Sequence, residues 1–139
     1  MTLPRLAQDQ IGRLQDIFAG GPRLVVVVPG KPVPKGRPRL GSGHAYTPAE
    51  TRAYESTVAF YALQARQRVA SWPLDARYRV DLVVRRKGRY DLDNIAKAAL
   101  DSCNRLLWKD DAQVDDLRIR RERPGDRAEA LTMTVEVLP

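Results

Sequence analysis

Two carboxylates separated by a single residue stand at Asp91 and Asp93, inside the segment Tyr90-Asp91-Leu92-Asp93-Asn94-Ile95-Ala96-Lys97. In an extended segment, side chains two positions apart project to the same side, so this pair can share one cation. Magnesium takes a few hard oxygen ligands and keeps several waters, so two or three aspartates suffice to hold it. Lys97 follows Asp93 by four residues, which places both on one face of a helix. A second acidic cluster, Trp108-Lys109-Asp110-Asp111-Ala112-Gln113, comes after the stretch Asn94 to Leu107. A straight helix over that stretch carries the chain about 20 Å away. The loop and strand that follow must run back along the sheet before Asp110 or Asp111 can approach the first pair, and spacing alone leaves this open. Each group also has a plain structural use. Asp91 and Asp93 can cap a helix N-terminus, Asp110-Asp111 can be a solvated turn, and Lys97 can be a surface charge or a partner for Asp93 or Asp101.

Basic residues gather in two places. The loop from Lys31 to Arg39 carries Lys31, Lys35, Arg37 and Arg39 without an acid, and Arg85-Arg86-Lys87-Gly88-Arg89 runs directly into the acidic pair. Beside a carboxylate–metal site, such residues suit a phosphate backbone, whose strands they position around the metal. The simpler use of the loop is as a solvated, flexible connection. Over the whole chain 24 Lys and Arg face 17 Asp and Glu, a net charge of +7. That excess favours a polyanionic partner, either nucleic acid or an acidic membrane surface.

Other chemistries find no support in the composition. The one histidine, His44, has no nucleophile or metal cluster beside it in the sequence. No Ser-His-Asp set and no phosphate-cradling glycine motif occurs. The single Cys103 excludes an internal disulfide, no Cys/His cluster can hold structural zinc, and the thiol reads as a small core residue on a helix. Met1 to Gly20 includes Asp9 and Asp16 and lacks the apolar run of a signal peptide. No stretch is long and apolar enough to span a membrane, so a cytoplasmic protein is expected.

The elements that must position these residues follow from periodicity. Leu3 to Ala19 has helical spacing and ends at Gly20-Gly21, an added N-terminal helix that docks, dimerises or caps the core. Leu24 to Val28 is a continuous β-branched run, the mark of a buried strand. Pro29 to Gly43 is an irregular loop rich in proline and glycine. Thr47-Pro48-Ala49-Glu50 opens a helix, with Thr47 capping and Pro48 at the first helical position. Tyr54, Val58, Tyr61, Ala65 and Val69 continue it, and Pro73 closes it. Arg77 to Arg85 alternates as a half-buried strand, and Asn94 to Leu107 returns to helical spacing. Leu117 to Arg123 and Leu131 to Leu138 alternate again about Pro124-Gly125-Asp126, which predicts a closing hairpin. At 139 residues the chain has the length of one domain. The expected fold is α/β in the broad sense (α+β), a mixed sheet of about four strands with helices packed against it. The core domain would span residues 22–139 after an N-terminal helical extension over 1–21.

Taken together these segments resemble the RusA family of Holliday junction resolvases. The resemblance is carried by Gly30-Lys31-Pro32-Val33-Pro34-Lys35-Gly36-Arg37-Pro38-Arg39, by Ala45-Tyr46-Thr47-Pro48, by Asp91-Leu92-Asp93-Asn94-Ile95-Ala96-Lys97 with Ala99-Leu100-Asp101, and by Trp108-Lys109-Asp110-Asp111-Ala112-Gln113-Val114. It covers about residues 24 to 138, and its most specific part is the Asp-Leu-Asp-Asn-x-x-Lys motif followed by Asp-Asp-x-Gln. The resemblance implies that Asp91, Asp93 and Asp111 are catalytic metal ligands and that Lys97 is needed for cleavage. It also implies a magnesium cofactor, for which manganese can substitute, and a homodimer that nicks two strands of a four-way junction symmetrically. Lys31, Lys35, Arg37, Arg39, Arg86, Lys87 and Arg89 are the expected DNA contacts. The connection from the helix to Asp110 is slightly shorter than in the family, and Leu3 to Ala19 has no counterpart there.

Three other functions compete. One is a nuclease with the same metal chemistry for another branched DNA, and another is a basic DNA-binding protein whose aspartates only cap helices. A small-molecule phosphate hydrolase is disfavoured by the cationic excess, since it has no use for salt-sensitive DNA binding.

Overall fold

The computed structural model describes residues 21–36 and 48–139. The expected N-terminal helix, Arg37, Arg39, His44 and the Thr47 cap lie outside the described residues. The chain forms β1 (Arg23–Pro29), α1 (Pro48–Gln67), β2 (Tyr78–Arg85), α2 (Leu92–Ser102), a 3₁₀ turn (Asp111–Gln113), β3 (Val114–Glu122) and β4 (Ala130–Val137). The four strands make one mixed sheet in the order β1-β4-β2-β3, and α1 and α2 cover one of its faces. The α+β single domain expected from periodicity is therefore the one observed.

Alternation explains which residues face the helices. Tyr78, Val80, Leu82 and Val84 of β2 are buried, as are Leu131, Met133, Val135 and Val137 of β4. They meet Tyr54, Val58, Ala62 and Ala65 of α1 and Ile95, Ala96, Ala99 and Leu100 of α2. Small residues on both helices let each backbone approach the sheet closely. Trp72, Tyr78 and Trp108 form an aromatic stack at one end of this core, with ring centroids 5.9 Å and 5.6 Å apart. Cys103 is buried with them, and burial pushes its thiol up to about 12, which keeps it inert as expected of a core residue.

Three expectations are corrected. First, β3 and β4 are not a hairpin. β4 lies between β1 and β2, antiparallel to both, and β3 pairs parallel to β2 on the far side. Neither face of β3 is fully buried, whereas alternate residues of β4 are. The more apolar strand takes the centre of the sheet and the Arg-rich one takes the edge. Second, β1 is buried on one face only. It is the opposite edge strand, and Val25 and Val27 remain 47% and 53% exposed. A run of β-branched residues does not itself tell a central strand from an edge. Third, α2 stops at Ser102 instead of Leu107. Asn104 accepts a hydrogen bond from Trp108 Nε1 at 2.9 Å, and Arg105 adopts a φ of 69°. These local bonds replace helix continuation and fold the chain back tightly.

That return is held from several sides. Leu107 O accepts from Trp72 Nε1 at 2.7 Å, and Leu106 O accepts from Arg66 Nη1 at 3.1 Å. Gln113 then closes the turn. Its amide oxygen accepts from Lys109 N and Asp110 N, and its Nε2 donates to Leu74 O and Ala76 O at 2.8 and 2.9 Å. Replacing Gln113 with Leu strands these backbone groups, and the unfolding free energy is expected to fall by about 1–3 kcal/mol. A urea titration with unchanged slope and a lower midpoint would show it; an unmoved midpoint would mean that water satisfies the groups equally well.

Candidate active site

β2, α2 and β3 form a strand–helix–strand crossover, because β3 runs parallel to β2. Asp91 sits where β2 hands over to α2. Its backbone is extended (φ −94°, ψ 121°), and its carbonyl accepts the first helical bond from Ile95 N at 3.3 Å. It occupies the N-cap position, yet its carboxylate makes no capping hydrogen bond. The side chain instead accepts from Asn94 Nδ2 at 3.3 Å. The capping role that the sequence allows Asp91 is thus filled by its backbone alone, and the carboxylate stays exposed. Asp93 lies in the first turn, exposed, where the helix dipole favours negative charge. Lys97 is exposed one turn further on.

The entry to the helix is fixed by Tyr90. Arg86 and Arg121 lie over its ring at 4.8 and 4.6 Å, one from the end of β2 and one from β3. Arg86 also donates to Arg89 O at 3.1 Å, and Arg121 donates to Tyr90 O at 3.3 Å. Arg86, expected to meet DNA, is therefore a buried residue of this clamp, only 6% exposed. Lys87 and Arg89 are exposed beside it, as is Lys31 in the β1–α1 loop.

The other acidic group lies at the far end of α2. Asp110 caps the 3₁₀ turn: its Oδ2 accepts from Ala112 N at 2.9 Å, and Gln113 reaches back to complete a capping box. Asp111 is not used that way. Its carboxyl faces that of Asp101, in the last turns of α2, within hydrogen-bonding reach. Partial burial, then the neighbouring Asp110 and Asp101 charges, push the Asp111 carboxyl above the ordinary carboxylate range. Asp101 is also bound by Lys35 Nζ at 2.5 Å, and the same ammonium lies 3.3 Å from Glu55 of α1.

The candidate residues thus form two groups. Asp91, Asp93 and Lys97 stand toward the N-terminal end of α2, and Asp111 stands at the C-terminal end. Asp101 is eight residues beyond Asp93, or about 12 Å of helix rise. Among the described residues no three His, Cys, Asp or Glu side chains converge within one chain to hold a metal ion. Sequence reasoning named Asp101 as a partner for Lys97 and as part of the family resemblance, without a role at the site. The available signal was the spacing Asp93, Lys97, Asp101, which repeats at four residues along one helical face.

Comparison with known proteins shows the family. The family model described as Endodeoxyribonuclease RusA matches residues 29–136. The chain belongs to the RusA family. It is 33% identical over 99 residues to the crossover junction endodeoxyribonuclease RusA of Escherichia coli strain K12, covering 70% of this chain and 80% of that protein. It is also 29% identical over 116 residues to the uncharacterized protein YqaN of Bacillus subtilis strain 168, covering 66% of this chain and 82% of the relative. The matched span of the RusA family includes both acidic groups, the Tyr90 clamp and the described part of the basic loop.

The donor chemistry at both ends of α2 fits a divalent cation of the magnesium type, which binds through one or two carboxylates and retains water. At the Asp111 end the fit is visible in the crowding of carboxylates: Asp111 lies beside Asp101 and Asp110, an arrangement that a bound cation would relieve. In the metal-free protein this has a measurable consequence. A carboxyl whose folded value is raised favours the fold below its unfolded value of 3.8, and that contribution disappears as pH rises through the folded value. Metal-free Asp111→Asn is therefore expected to resist urea better than wild type at neutral pH. The advantage should shrink to nothing on acidification below 3.8; a variant less stable at neutral pH would show that the Asp111 charge is held favourably.

Proposed function

We propose that this chain is a magnesium-dependent endonuclease that resolves four-way DNA junctions by paired symmetric nicks, acting as a homodimer in recombination and repair in the cytoplasm. Membership of the RusA family supports the reaction class. The observation that carries the site is the Asp91 carboxylate, held at the N-terminus of α2 by Asn94 and not consumed as a helix cap. A residue needed only to start the helix would have spent its side chain there.

Asp91, Asp93 and Asp111 would hold the cation. When bound, it supplies Lewis acidity toward a scissile phosphate and acidifies a water molecule near neutral pH. Lys97, one turn beyond Asp93, is placed to stabilise the charge that builds on the phosphate during in-line attack. Lys31, Lys87 and Arg89, with Arg37 and Arg39 of the same loop, would bind phosphates and set the register of the DNA arms. Manganese shares the preference for hard oxygen ligands and is expected to substitute.

The separation of the acidic groups along α2 bears on the dimer. One rigid helix keeps Asp111 away from Asp91 and Asp93 of the same chain. Two copies related by a two-fold axis can bring the Asp91–Asp93 end of one beside the Asp111 end of the other. A two-fold substrate then meets two equivalent sites.

Cleavage of a labelled four-way junction tests the proposal directly. Wild type with magnesium is expected to leave paired symmetric nicks and to spare a linear duplex, and Asp93→Asn to bind the junction without cutting it. Binding without cleavage in both magnesium and manganese would leave a non-catalytic junction-binding protein, and cutting of other branched DNA with equal efficiency would widen the substrate class. Mixing tests the shared site. Asp93→Asn and Asp111→Asn, each inactive alone, should regain single nicking when subunits exchange, because one of the two sites in each mixed dimer is then intact. No recovery despite proven exchange would place all three ligands in one chain.

A further inference from the structure

Lys35 belongs to the basic loop that the sequence assigns to DNA, but its surroundings point elsewhere. The described part of the loop, up to Gly36, is docked on the protein, with Pro32 and Pro34 buried. Lys35 N donates to Asn94 O at 3.0 Å, and Gly36 N donates to Thr51 Oγ1 at 3.0 Å, so this part of the loop is pinned to both α2 and α1. The ammonium of Lys35 faces inward onto two acids, Asp101 at 2.5 Å and Glu55 at 3.3 Å. Asp101 in turn abuts Asp111. One cation thus joins an acid of α1, an acid of α2 and, through the latter, an aspartate of the proposed site. The backbone bond ties the same residue to the carbonyl of Asn94, whose side chain donates to Asp91.

We propose that Lys35 is a positioning residue for the acidic site and not a phosphate ligand: it fixes the Asp101 carboxylate against Asp111. This rests on the metal-site role of Asp111 proposed above. The two roles differ in what they leave intact. A phosphate contact contributes to affinity and to its salt dependence, whereas a residue that fixes Asp101 contributes to cleavage of DNA already bound.

The experiment compares wild type, Lys35→Met, Lys35→Arg, Asp101→Asn and the Lys35→Met/Asp101→Asn double variant. Junction binding without divalent metal is measured across salt concentrations, and single-turnover cleavage with magnesium is measured at saturating protein. In Lys35→Met the salt slope is expected to stay that of wild type, while cleavage of the bound junction falls at least about tenfold (~1.4 kcal/mol in the barrier). Arginine, which can still span the two acids, should recover most of the rate. In the Asp101→Asn background the Met substitution should add no further loss, because its route of action is already gone. A salt slope reduced by about one phosphate contact, with an unchanged rate for bound DNA, would overturn the proposal. So would independent, multiplying losses in the double variant. If wild type itself cuts nothing, the endonuclease assignment fails, and the salt slope still decides whether Lys35 touches phosphate.

Discussion

A strand followed by a helix and a parallel strand obliges the helix to travel the length of the sheet, and α2 is that helix. Its apolar side is made of small and branched residues, Ile95, Ala96, Ala99 and Leu100, that share one buried core with side chains of α1, β2 and β4. Such packing fixes the rotation of the helix, because interiors are close-packed and do not tolerate sliding. With the apolar side down, Asp93 and Lys97 are left exposed and Asp101 half-buried. The placement of Asp93, Lys97 and Asp101 therefore follows from how α2 lies on the sheet.

The two ends of α2 are stabilised by different means. The N-terminal end is set by the Tyr90 clamp, in which Arg86, just past the end of β2, and Arg121 of β3 hold one ring. Cationic groups stacked on an aromatic face keep their charge while losing mobility, so this strongly basic chain spends part of its charge on structure. The C-terminal end is set by the tight return through Arg105 and by the aromatic stack of Trp72, Tyr78 and Trp108. That return delivers Asp110 to a capping role and Asp111 to Asp101, so two adjacent aspartates of identical chemistry acquire different work.

Electrostatics then divide the basic residues. Lys35 and Arg86 have their charged groups engaged within the protein, whereas Lys31, Lys87 and Arg89 are exposed. The outer face of the sheet carries both signs, with Arg79 bonded to Asp116 at 2.9 Å and Arg77 bonded to Asp115. Exposed pairs of this kind contribute little to stability. They do lower the net field of that face, so the overall charge of +7 is not a measure of the charge available to a polyanion.

Much of the fold was legible in the sequence. Alternation in Tyr78, Val80, Leu82 and Val84 located β2 and its buried face, helical spacing located α1 and α2, and the Asp91-Leu92-Asp93-Asn94 motif with Asp110-Asp111 marked the acidic groups and the family. Periodicity reports on each element's own surface and is blind to which element covers it. Only the tertiary structure decided that β4 takes the centre and β3 the edge, that α2 ends at Ser102, and that Lys35 answers to Asp101. It alone set Asp111 apart from Asp91 and Asp93 at the other end of a rigid helix. These outcomes depend on competition among distant segments for one core and on charges brought together from far along the chain, and no local spacing encodes either.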